Sequence, residues 1–135
     1  MIAFLLATTV DLLPPRGLVL AAVAAVWLYE GLWCKLLRGD PRQFEIVAAV
    51  PRFGARFGVP FLLGLGVVEV LVGLWVLLPV APILCATAQT VLLVALNTNG
   101  LLWSRHLIHD PAGMVVKNAA LLVLAWVGAS AEVTA

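Results

Sequence analysis

The fold class this sequence predicts is all-α, a four-helix transmembrane bundle, and three observations carry it. Of the 135 residues, 64% are hydrophobic and only 11% are charged, against roughly half and about a quarter in an ordinary soluble domain. Too little charged surface exists to cover so many apolar side chains in water. The same composition excludes a disordered chain and a nucleic-acid binder. Next, four stretches come close to the ~20 apolar residues that cross ~30 Å of hydrocarbon. Lastly, Asp40-Pro41 and Asp110-Pro111 each set a capping residue before a proline at a first helical position. Residues 1–135 are expected to form a single transmembrane domain.

The elements follow in order. Ile2 to Leu13 is apolar with no basic residue ahead of it, so it reads as an uncleaved outer-face segment rather than a secretory signal. The first span is expected at residues 17–37, interrupted by Glu30 and Lys35. The second, at 58–79, is broken only by Glu69. The third, at 81–103, carries no charge but holds Gln89, Asn97 and Asn99. The fourth, at 112–131, is broken only by Lys117. Backbone in lipid must satisfy its own hydrogen bonds, so each span must be helical. Between the first two spans, Asp40 with Gln43 three residues later suggests a capping box. A short helix over residues 41–50 follows from it. Phe44, Val47 and Ala48 share one side of that helix, which suits the membrane interface. Arg52 and Arg56, and Phe53 and Phe57, each lie four apart, placing rings in lipid and guanidinium groups at headgroups. Pro79 and Pro82 bracket a tight turn.

Seven Lys and Arg (Lys35, Arg38, Arg42, Arg52, Arg56, Arg105 and Lys117) fall on the side of the first and third loops. Only Arg16 falls on the other. By the positive-inside rule both loops are cytoplasmic and both termini lie outside, as in a multi-pass protein of a bacterial cytoplasmic membrane. Trp33 and Trp103 then mark the inner interface, and Trp75 and Trp126 the outer one. Cys34 and Cys85 fall near opposite ends of their spans. At 1.5 Å per residue they are ~20 Å apart in depth, so no bridge joins them within the chain.

An ionisable group in hydrocarbon costs ~2.5–3.5 kcal/mol even on the lenient insertion scale, so Glu30, Glu69 and Lys117 are informative. Glu30 lies in the cytoplasmic half of span one, and Lys117 a turn and a half into span four. Asn97 and Asn118 share that depth. These four are expected to converge, with Glu30 and Lys117 as a buried pair among amide donors. Glu69 lies at the midplane with no charged partner of its own depth, and Gln89 of the next span is its expected hydrogen-bond partner. Gly66 and Gly73 flank it at i−3 and i+4 and let a neighbouring helix come close. Trp27, Tyr29 and Trp33 crowd Glu30, either to wall a pocket for a flat ring or as aromatic packing within the bundle. This cluster reads either as a site for a small ligand, a quinone head group or a proton, or as a latch that fixes helix order. His106 and His109 read as solvated interfacial histidines. No metal is expected, and no catalytic constellation is present.

Three segments then carry a resemblance. Trp27-Leu28-Tyr29-Glu30-Gly31-Leu32 with Lys35, Glu69 within a glycine-rich second span, and Asp110-Pro111-Ala112-Gly113 leading to Lys117-Asn118 together resemble the DoxX-like family of small four-span bacterial membrane proteins. The likeness runs from about Gly17 to Gly128. It implies the four-span fold and, through family members in quinone-linked thiosulfate oxidation or other membrane redox complexes, an accessory subunit of a redox assembly. Quinone is the cofactor so implied, and the partners are the lipid bilayer with other membrane subunits or a second copy. The absence of a cysteine pair speaks against direct disulfide chemistry. Two other readings are a structural subunit of a larger respiratory or photosynthetic complex, and a small-solute carrier or channel formed by a homo-oligomer.

Overall fold

The computed structural model describes residues 1–3 and 14–134, with side chains up to Ser130. Residues 4–13 of the expected outer-face segment lie outside the described residues. Among the described residues, five longer α-helices and no strand make up the fold. Helix α1, Arg16–Leu28, continues as a π-helical segment, Tyr29–Leu36, and together they form the first apolar span. Helix α2, Pro41–Ala48, is short. Helices α3, Gly54–Leu77, α4, Pro82–Trp103, and α5, Pro111–Thr134, supply the other three spans.

The caps work largely as the residue types dictate. Asp40 accepts from Arg42 N–H at 3.1 Å, and Pro41 opens α2. Asp110 accepts from Gly113 N–H at 3.0 Å. A Cβ on Gly113 would meet the Asp110 carboxylate, so the side chain lies close over the first turn. Gln43 does not complete a reciprocal box; its side chain reaches Glu30 instead. Between α3 and α4, Ala81 takes the left-handed region at φ 46° just before Pro82.

Helix α3 begins four residues before the expected start of span two. Its first turns lie beneath α2: a Cβ on Gly54 would strike the carbonyls of Val47 and Ala48, and one on Gly58 would press on Val47. Two glycines a turn apart let the short helix lie across α3. The inward side of α2 accordingly centres on buried Val47, while Ala48 is exposed. The aromatic ladder at this end is Phe53 against Phe57 at 5.8 Å and Phe61 at 5.3 Å, with Arg56 over Phe57.

Span one packs against spans two and four, span three packs against span four, and spans two and three touch least of the adjacent pairs. Lipid gives no hydrophobic drive between helices, so close backbone approach decides where they cross. A Cβ on Gly31 would sit 2.6 Å from Gly66 O, and one on Gly66 would sit 3.0 Å from both Gly31 O and Lys35 Cβ. Further along, Gly73 takes Leu28 and Gly128 takes Leu20. Val23, Ala24, Trp27, Val72, Val76, Cys85, Leu93 and Ala125 fill the half of the bundle nearest the turn at Ala81. The half beside α2 is hollow. Outside, large apolar side chains such as Leu71, Leu84, Val91, Leu102, Val116 and Val123 are exposed, which suits lipid rather than water as the surrounding medium.

Candidate functional site

The hollow half is a cavity of about 370 Å³. All four spans, α2 and the loop after α4 contribute to its lining. Its walls are apolar, with Phe61, Leu62, Leu65, Leu93, Leu96 and Leu121. Its inner end is charged.

That charge has an unexpected centre. Lys35 is 5% exposed and Glu69 is 2% exposed, and Lys35 Nζ lies 2.7 Å from Glu69 Oε2. The same ammonium lies 3.7 Å from Glu30 Oε2 and donates to Glu30 O at 3.4 Å. Glu69 therefore has a charged partner, contrary to the expectation from depth alone, and Glu30 meets Lys35 rather than Lys117. The crossing of Gly31 and Gly66 produces this arrangement. It brings the backbone of span one against span two, one helical turn from Glu69 and one from Lys35. The π-helical segment keeps Gly31, Cys34 and Lys35 facing inward. Its signature is the i→i−5 bond from Leu37 N–H to Leu32 O at 2.8 Å, a widening that recurs at functional sites.

The Lys35–Glu69 contact is close. Glu69 Oε2 is fully buried, with the Lys35 ammonium as its close polar neighbour. Distance makes the two an ion pair, in which the rotatable hydrogens of the ammonium compensate the buried carboxylate. Glu30 is anchored differently. Gln43 Nε2 of α2 donates to Glu30 Oε2 at 2.8 Å, which ties the short helix to span one. Ser104 Oγ, at the end of α4, donates to Ile46 O at 2.5 Å and ties it to span three. The short helix is thus pinned over the cavity from two sides.

Of the expected residues, Glu30, Glu69, Asn97, Asn118 and Trp27 line this cavity. Asn118 Nδ2 donates to Asn97 Oδ1 at 2.8 Å, and Asn97 Nδ2 donates to Leu93 O at 2.7 Å. Three others are not brought to it. Lys117 is exposed and outside the cavity lining, because α5 turns Asn118 and not its neighbour toward span three. Tyr29 is 58% exposed and points away. Gln89 is buried, but it accepts from Trp27 Nε1 at 2.8 Å and donates to Cys85 Sγ at 3.5 Å. It orients the tryptophan from behind rather than bonding Glu69. Sequence reasoning missed Lys35 as a buried group because a lysine near a span end reads as an interfacial cation. Its spacing held the signal: Lys35 is four residues past Gly31 and eight past Trp27, on one helical face.

Asp40, Arg42 and His109 stand at the exposed end of the cavity. Among the described residues, no group of three or more His, Cys, Asp or Glu is placed to hold a metal ion. Cys34 and Cys85 are both buried and unbridged. What the arrangement offers chemically is a recess with apolar walls and, at its end, two carboxylates around one ammonium.

The order of these residues along the chain, Trp27 through Asn118, coincides with the stretch matched by a known family: the sequence model described as "DoxX-like family" matches residues 24–126. The chain belongs to the DoxX-like family. With four apolar helices of spanning length, this DoxX-like protein is a multi-pass membrane protein. Neither a curated protein nor a solved structure matches it. Every charged residue at the inner end of the cavity of this DoxX-like protein lies within the matched stretch.

Proposed function

We propose that this protein is an accessory subunit of a quinone-linked redox assembly in the bacterial cytoplasmic membrane, and that the cavity beside α2 receives the quinone ring. The observation that carries the reading is the buried Lys35 between Glu30 and Glu69 at the end of an apolar recess. Intramembrane charges are costly and mark ligand or ion pathways. At about 370 Å³ the recess is within the range of small-molecule sites, which are mostly apolar with a few placed polar groups. A ring with an isoprenoid tail matches that lining, and the sparse contact between spans two and three leaves a side on which a tail can lie in lipid. Glu30, Glu69, Asn97, Asn118 and Trp27 remain the ligand-facing residues, with Lys35 in the place expected for Lys117. The concentration of Lys and Arg on the loops beside this cavity supports a cytoplasmic opening and outer termini.

Extraction in native lipid tests the proposal. The expected result is an oxidoreductase subunit in the co-purifying proteins and quinone in the solvent extract. A protein that emerges without either overturns it. A second reading, a structural subunit of a larger complex, is favoured by span four. It is the least buried of the four spans and carries a groove formed by Leu122, Val123, Trp126 and Val127. A partner complex without bound quinone would favour that reading.

A further inference from the structure

We propose that the turn from α2 into α3 is a binding site for an anionic phospholipid, its headgroup held by Arg52 and Arg56 and an acyl chain laid along Phe57 and Phe61. Of these residues only Phe61 reaches the cavity lining, so the site stands whatever the cavity receives. Residues 38–56 carry four arginines, Arg38, Arg42, Arg52 and Arg56, against two carboxylates, Asp40 and Glu45. All four arginines are exposed, and none forms an ion pair with a carboxylate among the described residues. Asp40 is engaged in capping α2. Topology requires only that a loop be basic, not where in it the cations sit. Arg52 nevertheless takes the left-handed region, at φ 64°, where glycine or asparagine is less strained. A long side chain kept in that conformation points to a use for its charge.

The local geometry suits a phosphate. Arg56 lies over the Phe57 ring at 5.3 Å, which fixes the plane of the guanidinium and leaves its N–H edge for an oxyanion. Helix α3 begins at Gly54 without a side-chain cap, so the positive end of its dipole adds to the attraction. Phe53 packs against Phe57 at 5.8 Å and Phe61 at 5.3 Å, and both Phe57 and Phe61 are exposed. Phe61 is five residues past Arg56 and so ~7.5 Å deeper along the helix. That descent from cation to exposed rings has the order of charge and chain in a lipid, which an acidic protein segment does not share. A zwitterionic headgroup carries its own cation and gains less from the two arginines than a net anionic one.

The purified full chain in mixed micelles tests this, with equal amounts of phosphatidylglycerol and phosphatidylcholine of the same acyl chains. Lipid retained after delipidation is extracted and quantified by mass spectrometry. The wild-type protein should retain phosphatidylglycerol about tenfold over phosphatidylcholine, on the order expected of two arginines at a headgroup. Arg52→Gly with Arg56→Gln should bring that ratio to within about twofold. Arg105→Gln with Lys117→Gln removes the same charge elsewhere and should leave the ratio unchanged. Arg52→Gly alone should melt no lower than the wild type in lipid-free detergent, because glycine relieves the left-handed backbone. Equal losses in the two double variants would mean diffuse attraction to basic loops and overturn the site. Displacement of the lipid by inorganic phosphate would leave the phenylalanines no part in it and overturn it as well. Equal retention of both lipids by the wild type overturns the proposal and leaves the arginines to an acidic protein partner.

Discussion

Lys35 brings its charge to a place where 5% of the residue is exposed, and it is held there because two carboxylates come to meet it. A buried ion pair adds little net stability over an apolar pair of the same shape, but removing one partner strands the other. Lys35→Met should therefore destabilise the protein by about 3–5 kcal/mol, because Glu69 is left uncompensated. Lys35→Met combined with Glu69→Leu should cost less than Lys35→Met alone. Thermal unfolding in one detergent, followed by circular dichroism and read as a double-mutant cycle, checks this. Additive losses would mean that the two groups do not depend on each other. Lys117 supplies the contrast. It is exposed on α5, and Lys117→Met should shift stability by no more than about 0.5 kcal/mol.

The elements meet where side chains are missing. Gly31 and Gly66 bring spans one and two into backbone contact, and a Cβ on Gly31 would lie 2.6 Å from a carbonyl oxygen that cannot swing away. Gly31→Ala should push the spans apart at the level of the Lys35–Glu69 contact and lower the unfolding temperature. Gly64, two residues before Gly66, has nothing within 4 Å of its own Cβ position. Gly64→Ala should be neutral or stabilising by about 0.5–1 kcal/mol, since alanine gives up less entropy in a helix. Equal effects at the two positions would remove the close crossing from the account. The spans, the turn at Ala81 and the Asp40 and Asp110 caps were legible in the sequence, because each rests on local chemistry: apolar length, proline, a carboxylate ahead of a first turn. The convergence of Glu30, Asn97 and Asn118 on one level was legible too, since depth in a bilayer can be counted at 1.5 Å per residue. Rotation about each helix axis was not. It separates Asn118, which faces the cavity, from Lys117, which does not, and Trp27 from Tyr29. That rotation is set by glycine contacts and by the π-helical widening after Leu28, which a straight α-helical count does not contain.

The molecule as a whole is divided along its length, packed beside the Ala81 turn and hollow beside α2. The charged residues gather at the hollow end, and two ties, Gln43 to Glu30 and Ser104 to Ile46, hold α2 across it. In the orientation proposed above, the basic loops face the cytoplasm and the cavity opens with them. Two exposed positions at opposite ends report on this: Glu45 on α2 and Val80 in the turn before α4. The native cysteines are buried and contribute little background to a thiol reagent in the folded protein. In spheroplasts, a membrane-impermeant maleimide should label Val80→Cys directly and Glu45→Cys only after permeabilisation. The reverse pattern would turn the molecule over and direct the cavity away from the cytoplasm. Labelling of both without permeabilisation would mean that the four apolar helices do not span, and the exposed leucines and valines would then need another solvent.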